Sequence, residues 1–160
     1  VQTCALPISA LLWRVRGMLD ALSIERGRRI VLAVRVPSEY GRTPPTPASA
    51  RARGCDVAAW VAAGLVDHVT VSEFLFERGD LPVEAWSKAL AGVSLAFGIE
   101  CTTGSGKDNL SADEYRAAAA KLRDRGATGV YLFNFFTSRE RGAEAVDPPF
   151  DVLDDLVPLD

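Results

Sequence analysis

A chain of 160 residues is enough for one ordinary domain, and 48% hydrophobic with 24% charged residues is the balance of a globular protein that can bury a core. A net charge of -3, with 18 basic side chains scattered except for a short cluster from Arg26 to Arg29, gives no electrostatic reason to expect a nucleic-acid partner. No apolar run approaches the roughly 20 residues needed to cross a bilayer, so no membrane partner is expected either.

The opening nine residues, VQTCALPIS, show no amphipathic period and look like adapter-derived read-through at the end of an environmental sequence fragment. The natural domain is therefore expected over residues 10–160, cut at its N-terminus. From Ala10 the pattern turns helical, with Leu12, Val15, Leu19 and Leu22 on one stripe and Gly27 as the stop. RIVLAVRVP, residues 29–37, is rich in β-branched residues, ends at Pro37 and reads as a buried strand. The Pro-, Ser-, Thr- and Arg-rich stretch that follows, residues 38–54, reads as a long loop with no core of its own.

The helix-then-strand order then recurs. Val57, Trp60, Val61 and Gly64 make a short helical stripe before the strand VDHVTVS. Pro82 suits a first helical position, Val83, Trp86 and Leu90 share a face, and VSLAFGIE follows as a strand. Ser111 and Glu114 spell a capping box, Tyr115, Ala118, Ala119 and Leu122 line one face, Gly126 stops the helix, and GVYLFNFFT is the fourth strand. The acidic DPPFDVLDDLVPLD reads as the start of a last helix. Trp13, Trp60 and Trp86 each sit on a helical apolar stripe and are expected in the core.

Helices alternating with strands at this spacing call for a parallel sheet with right-handed crossovers, either open and doubly wound or part of a (β/α)8 barrel. No glycine-rich dinucleotide turn follows the first strand, which favours the barrel. Four strands are about half of one, so the fold class expected is α/β, the C-terminal half of a TIM barrel, with the N-terminal half missing. Arg35, Ser72, Glu100 and Asn134 fall at or near the C-terminal strand ends, where such barrels build their sites.

Side chains alternate across a strand. Glu100 thus shares a face with Gly98, Ala96 and Ser94, Arg35 with Ala33 and Val31, and Ser72 with His68 and Thr70, while the bulky apolar residues point the other way. Glu73 follows Ser72 and could swing over the mouth. The plainer reading of Glu100 is an ion-paired rim residue with Arg35 as its partner. His68, the only histidine, reads as a hydrogen-bonded interior residue and makes no metal site alone. Cys4, Cys55 and Cys101 lack a CxxC pair, so neither a zinc site nor a disulfide framework is indicated. Phe74, Phe76, Phe135 and Phe136 lie at or beyond strand ends, as cleft lining or as loop packing.

GIECTTGSGKDN, residues 98–109, fails the nucleotide-binding phosphate loop twice: Cys101 stands where the first glycine is needed, and Asp108 follows Lys107 in place of a hydroxyl residue. A looser anion nest from the Gly104 and Gly106 amides stays open. No metal or cofactor is expected.

Three stretches, RIVLAVRVPS, CDVAAWVAAGLVDHV and LSADEYRAAAAKLRDRGATGVYLFNFF, resemble bacterial (β/α)8 barrel proteins of the family-10-like glycosylhydrolase kind, across roughly residues 10–140, most specifically through GVYLFNFF. The resemblance implies an enzyme acting on a polysaccharide or glycoside, often exported. In retaining barrel glycosidases the nucleophile ends strand seven, which here is the strand of Glu100. A second carboxyl about 5 Å away would be the acid/base and would belong to the missing half. Glu73 is the competing carboxylate. The same resemblance lets Arg35, Ser72, Asn134 and Phe135 contact the sugar, with Arg35 keeping Glu100 ionised. A non-catalytic carbohydrate-binding barrel is the alternative from another class, and a phosphate-binding barrel lyase or isomerase a third, although no strand ends in the lysine that chemistry would use. A half sheet with two bare edges is also expected to be poorly soluble alone or to self-associate.

Overall fold

The computed structural model of the chain describes residues 5–37, 45–72, 81–101, 109–137 and 146–156. Helix α1 (Ala5–Arg26) leads into β1 (Ala33–Pro37), α2 (Pro47–Ala52), α3 (Val57–Ala62), β2 (His68–Ser72), α4 (Val83–Ala89), β3 (Ser94–Ile99), α5 (Ala112–Asp124) and β4 (Gly129–Leu132). A 3-10 turn (Phe150–Val152) runs into a short α6 (Leu153–Leu156). The four strands form one sheet in the order β1-β2-β3-β4, and all three pairings are parallel. Chain order and sheet order coincide, so the sheet has no point at which the winding reverses, as a doubly wound sheet would. A mixed α/β architecture with a parallel sheet is thus what the alternating pattern specifies.

The faces divide as alternation requires. Val36, Val69, Val71, Leu95, Phe97 and Ile99 join one core with Trp60, Trp86, Tyr115 and Leu122 from the helices. Arg35 and Ala33, on the other face of β1, are exposed. Helix ends are set locally. The Ser111 hydroxyl accepts from the Glu114 amide and the Glu114 carboxylate accepts from the Ser111 amide at 2.7 Å, closing the expected capping box on α5. Gly27 terminates α1 with φ +64°, a conformation costly for any residue with a Cβ.

Five expectations are corrected. Helix α1 begins at Ala5 rather than Ala10, and the Ser9 hydroxyl accepts a hydrogen bond from the Trp60 indole at 2.9 Å. Strand β1 begins at Ala33, not Arg29, because residues before it bond elsewhere: the Ile30 amide donates to the Ser23 hydroxyl and the Leu32 amide to Asp67. The stretch expected to be coreless contains α2, begun by a reciprocal cap between Thr46 and Ser49 and carrying the buried Ala50. Pro45 just before it is fully buried, and its carbonyl accepts from the Trp86 indole. Trp13 is 58% exposed. It lies one residue, about 100° of helix rotation, from the inward Leu12, so the core-facing stripe passes it by. Pro82 also takes the N-cap place of α4 rather than its first turn.

The layers are pinned by charge pairs at named points. Asp67, at the entrance to β2, accepts from Arg16 of α1 at 3.0 Å, from Arg29 at 2.9 and 2.5 Å, and from the Leu32 amide at 2.9 Å. Arg16 is itself buried and also donates to the Ile30 carbonyl and to Asp20. Burial alone would raise the Asp67 pKa, but the Leu32 amide, Arg29 and Arg16 outweigh it and hold the carboxyl below its ordinary value. On the far side, Arg125 clamps Glu84 of α4 through two bonds of 2.7 and 2.8 Å, holding its carboxyl down at about 2.

Asp67→Asn removes the counter-charge of a buried arginine and should destabilise the fold by about 3 kcal/mol in denaturant titration. The pH dependence follows from the direction of these shifts. A carboxylate whose pKa is lower in the folded state stabilises fully above its unfolded value, 3.8 for Asp67 and 4.5 for Glu84, and loses that contribution as the pH falls. The melting temperature should therefore hold steady from neutrality down to about pH 5 and fall progressively from there towards pH 2, and Glu84→Gln should flatten the lower part of that fall.

Candidate functional site

The open face of the sheet is built in rows by the parallel register. Arg35 lies beside Thr70, Thr70 beside Ala96 and Ala96 beside Gly129; in the next row, towards the strand ends, Gly98 lies beside Tyr131. Small residues on the two middle strands leave a low floor between the edge strands. Three strand spacings of roughly 4.8 Å separate β1 from β4, and side chains bridge that distance. The Arg35 guanidinium carbon stands 4.6 Å from the Phe133 ring centroid and 5.7 Å from that of Tyr131. Thr70, Ser72, Ala96 and Phe133 are buried on this face. A guanidinium lying on aromatic rings keeps its N–H edge in plane and directed outwards, which suits it to a carboxylate or to sugar hydroxyls.

At the end of β3, Glu100 turns back on its own chain. Its Oε1 accepts from the Cys101 amide at 3.0 Å and from the Cys101 thiol at 3.4 Å. Its Oε2 is buried without a hydrogen-bond partner among the described residues, and so is the Tyr115 hydroxyl on α5. Burial, followed by the neighbouring Cys101 and Glu100 charges, pushes the Tyr115 pKa well above its ordinary value, so the phenol keeps its proton. A protonated hydroxyl and a carboxylate oxygen, both out of water and unsatisfied, mark the point where this strand end can accept a polar group.

The expected site residues are distributed unevenly about these two features. Arg35 forms no ion pair with Glu100; its guanidinium rests on Phe133 and Tyr131 instead, which overturns the expected structural partnership. Ser72 is 1% exposed and lies under Gly98, beneath the surface. Asn134 is exposed at φ +54°, in a turn that ends β4 at Leu132, so it is no strand residue as the run GVYLFNFFT suggested. Phe135 packs edge-on against Tyr115 at 5.3 Å and Phe150 at 5.6 Å, as part of the packing behind Glu100. His68 is half-buried and hydrogen-bonded through its two ring nitrogens to Ser94 at 2.8 Å and Thr70 at 3.3 Å. Glu73, Phe74 and Phe76, and the Gly104, Gly106 and Lys107 of the glycine-rich stretch, lie outside the described residues.

Sequence reasoning passed over Tyr131, Phe133 and Tyr115. The first two were accessible through the alternation that begins at Gly129; the third looked like one apolar contact among several on α5. Among the described residues no cluster of histidine, cysteine and carboxylate side chains is placed to hold a metal ion, and no helix is long and apolar enough to cross a membrane.

The close approach of Ser72 to Gly98 gives a direct check of the floor. A Cβ on residue 98 would stand 2.7 Å from the Ser72 hydroxyl oxygen and 2.8 Å from its Cβ. Gly98→Ala should cost about 1–3 kcal/mol in chemical denaturation, and adding Ser72→Gly should recover part of that loss. No protein-family model matches the chain, and no curated protein is significantly similar to it.

Proposed function

We propose that the C-terminal rim of this sheet belongs to a (β/α)8 glycoside hydrolase, of which the chain forms the C-terminal half, acting on the glycosidic bonds of a polysaccharide or glycoside. The observation that carries the reading is Glu100: a carboxylate at the end of a parallel strand, one oxygen held by the Cys101 amide, the other buried and unsatisfied beside a hydroxyl that stays protonated. The amide bond fixes the carboxyl group, as a nucleophile in line with an anomeric carbon requires. A retaining mechanism needs a second carboxyl roughly 5 Å away to protonate the leaving oxygen and then activate water. Among the described residues no other strand of the sheet ends in a carboxylate, so that partner is Glu73 or a residue of the strands that complete the barrel. Arg35 on its aromatic platform is the group offered to sugar hydroxyls across the open face.

A second reading, a barrel that binds carbohydrate without cleaving it, is favoured by the direction of the Glu100 carboxylate, which faces its own backbone rather than the Arg35 side of the sheet. One experiment separates the two. In the protein carrying all the barrel strands, Glu100→Gln should lower kcat on aryl glycosides and oligosaccharides by at least about 100-fold while leaving the melting temperature unchanged. Undiminished hydrolysis would remove Glu100 from the mechanism. Oligosaccharides that shift the NMR signals of Tyr131 and Phe133 but are never hydrolysed would establish the binding reading.

A further inference from the structure

Arg35 is the one residue of the four strands that carries a fixed charge. The arginines around the sheet are matched to carboxylates: Arg16 and Arg29 to Asp67, Arg51 to Asp56, Arg116 to Asp155 and Arg125 to Glu84. Arg35 differs from them. It is exposed, forms no ion pair among the described residues, and has rings for neighbours in place of a carboxylate. The nearest candidate on the same face, Glu100, is turned to the Cys101 amide and thiol. His68, the other ionisable side chain of the strands on this face, is engaged by Ser94 and Thr70. In a chain of net charge -3, the open face thus presents a single uncompensated cation.

The register shows where that cation is held. Arg35 starts in the row of Thr70, Ala96 and Gly129, whereas Ile99 pairs with Leu132 and its carbonyl accepts from the Phe133 amide at 3.0 Å. Phe133 is therefore level with Glu100. Because the Arg35 guanidinium carbon is 4.6 Å from the Phe133 centroid, its head group leans from its own row towards the strand ends, over the small side chains between. The buried Phe133 and half-buried Tyr131 limit its freedom and occupy its flat side. What is left is the in-plane edge, with its N–H groups in a fixed fork. Sugar hydroxyls can accept from that fork but leave the charge uncompensated. A carboxylate takes two parallel hydrogen bonds in the same plane and cancels the charge.

We propose that Arg35 is the specificity-determining residue of this face and that the glycan it takes is acidic, with the carboxylate of a uronate residue seated on the Arg35 fork. The uronate assignment deepens the carbohydrate reading and rests on it, but holds whether or not the bound glycan is cleaved.

The test is a calorimetric titration of the protein carrying all the barrel strands. The probes are short oligosaccharides of galacturonate, of mannuronate and of glucuronate-bearing xylan, each paired with the counterpart whose carboxyl groups are reduced to alcohols. At least one uronate should bind about tenfold or more tightly than its reduced counterpart, and salt should shrink that ratio. Arg35→Met keeps the stem on the rings and removes the charge, so the ratio should fall to within about twofold of unity. Arg35→Lys, which keeps the charge without the fork, should give an intermediate ratio. In the wild type, the bound uronate should shift the NMR signals of the Arg35 Nε–H and of the Tyr131 and Phe133 rings, a readout that needs no variant to fold. Reduced probes bound as tightly as every uronate, a preference that survives Arg35→Met in a protein melting like the wild type, or sulfated oligosaccharides bound more tightly than the uronates would each overturn the proposal. Neutral oligosaccharides hydrolysed with no uronate preference would sink the uronate assignment and leave the glycosidase standing. Uronates held through Arg35 but never hydrolysed would do the reverse.

Discussion

Asp67 is where the first half of the molecule is tied together. Its two carboxylate oxygens receive two arginines and a backbone amide, which come from α1, from the chain after α1 and from the approach to β1. These segments meet at the entrance to β2. Arg16 could not be buried without such a partner, because an unpaired guanidinium in the interior costs several kcal/mol. The clamp also explains the late start of β1. The amides of Ile30 and Leu32 are spent on Ser23 and Asp67, so the parallel ladder with β2 begins only at Ala33.

Beyond that clamp the sheet organises itself by size. Large β-branched and aromatic side chains on one face meet the helices, and Thr70, Ala96, Gly98 and Gly129 make the other face low enough for Arg35 to meet the rings of Tyr131 on β4 and Phe133 just beyond it. Gly98 is required here by space rather than by its backbone angles: the Ser72 side chain occupies the volume its Cβ would fill. The same close packing buries Ser72.

Much of this was legible in the chain itself. The four-fold helix and strand alternation, the Ser111 cap, the Gly27 and Gly126 stops and the division of strand faces all follow from local rules of period and steric preference. Strand limits were less legible, because RIVLAVRVP and GVYLFNFFT have β-rich composition throughout. What shortened them was a side chain 35 residues away from Leu32 in the first case and the left-handed turn at Asn134 in the second. Of the site, the alternation rule placed Arg35 on the open face and Glu100 at a strand end. It could not show that Arg35 would lie on Phe133 rather than pair with Glu100, since that choice depends on which rings β4 brings across the sheet.

The sequence by itself determined the elements, their order and the faces they present, since hydrophobic period, caps and glycines act over a few residues. Only the tertiary structure decided which charges meet. Asp67 is set between two arginines, and Glu100 is turned to its own backbone beside Tyr115. Contacts between residues distant in the chain are fixed by packing geometry, which no local pattern encodes.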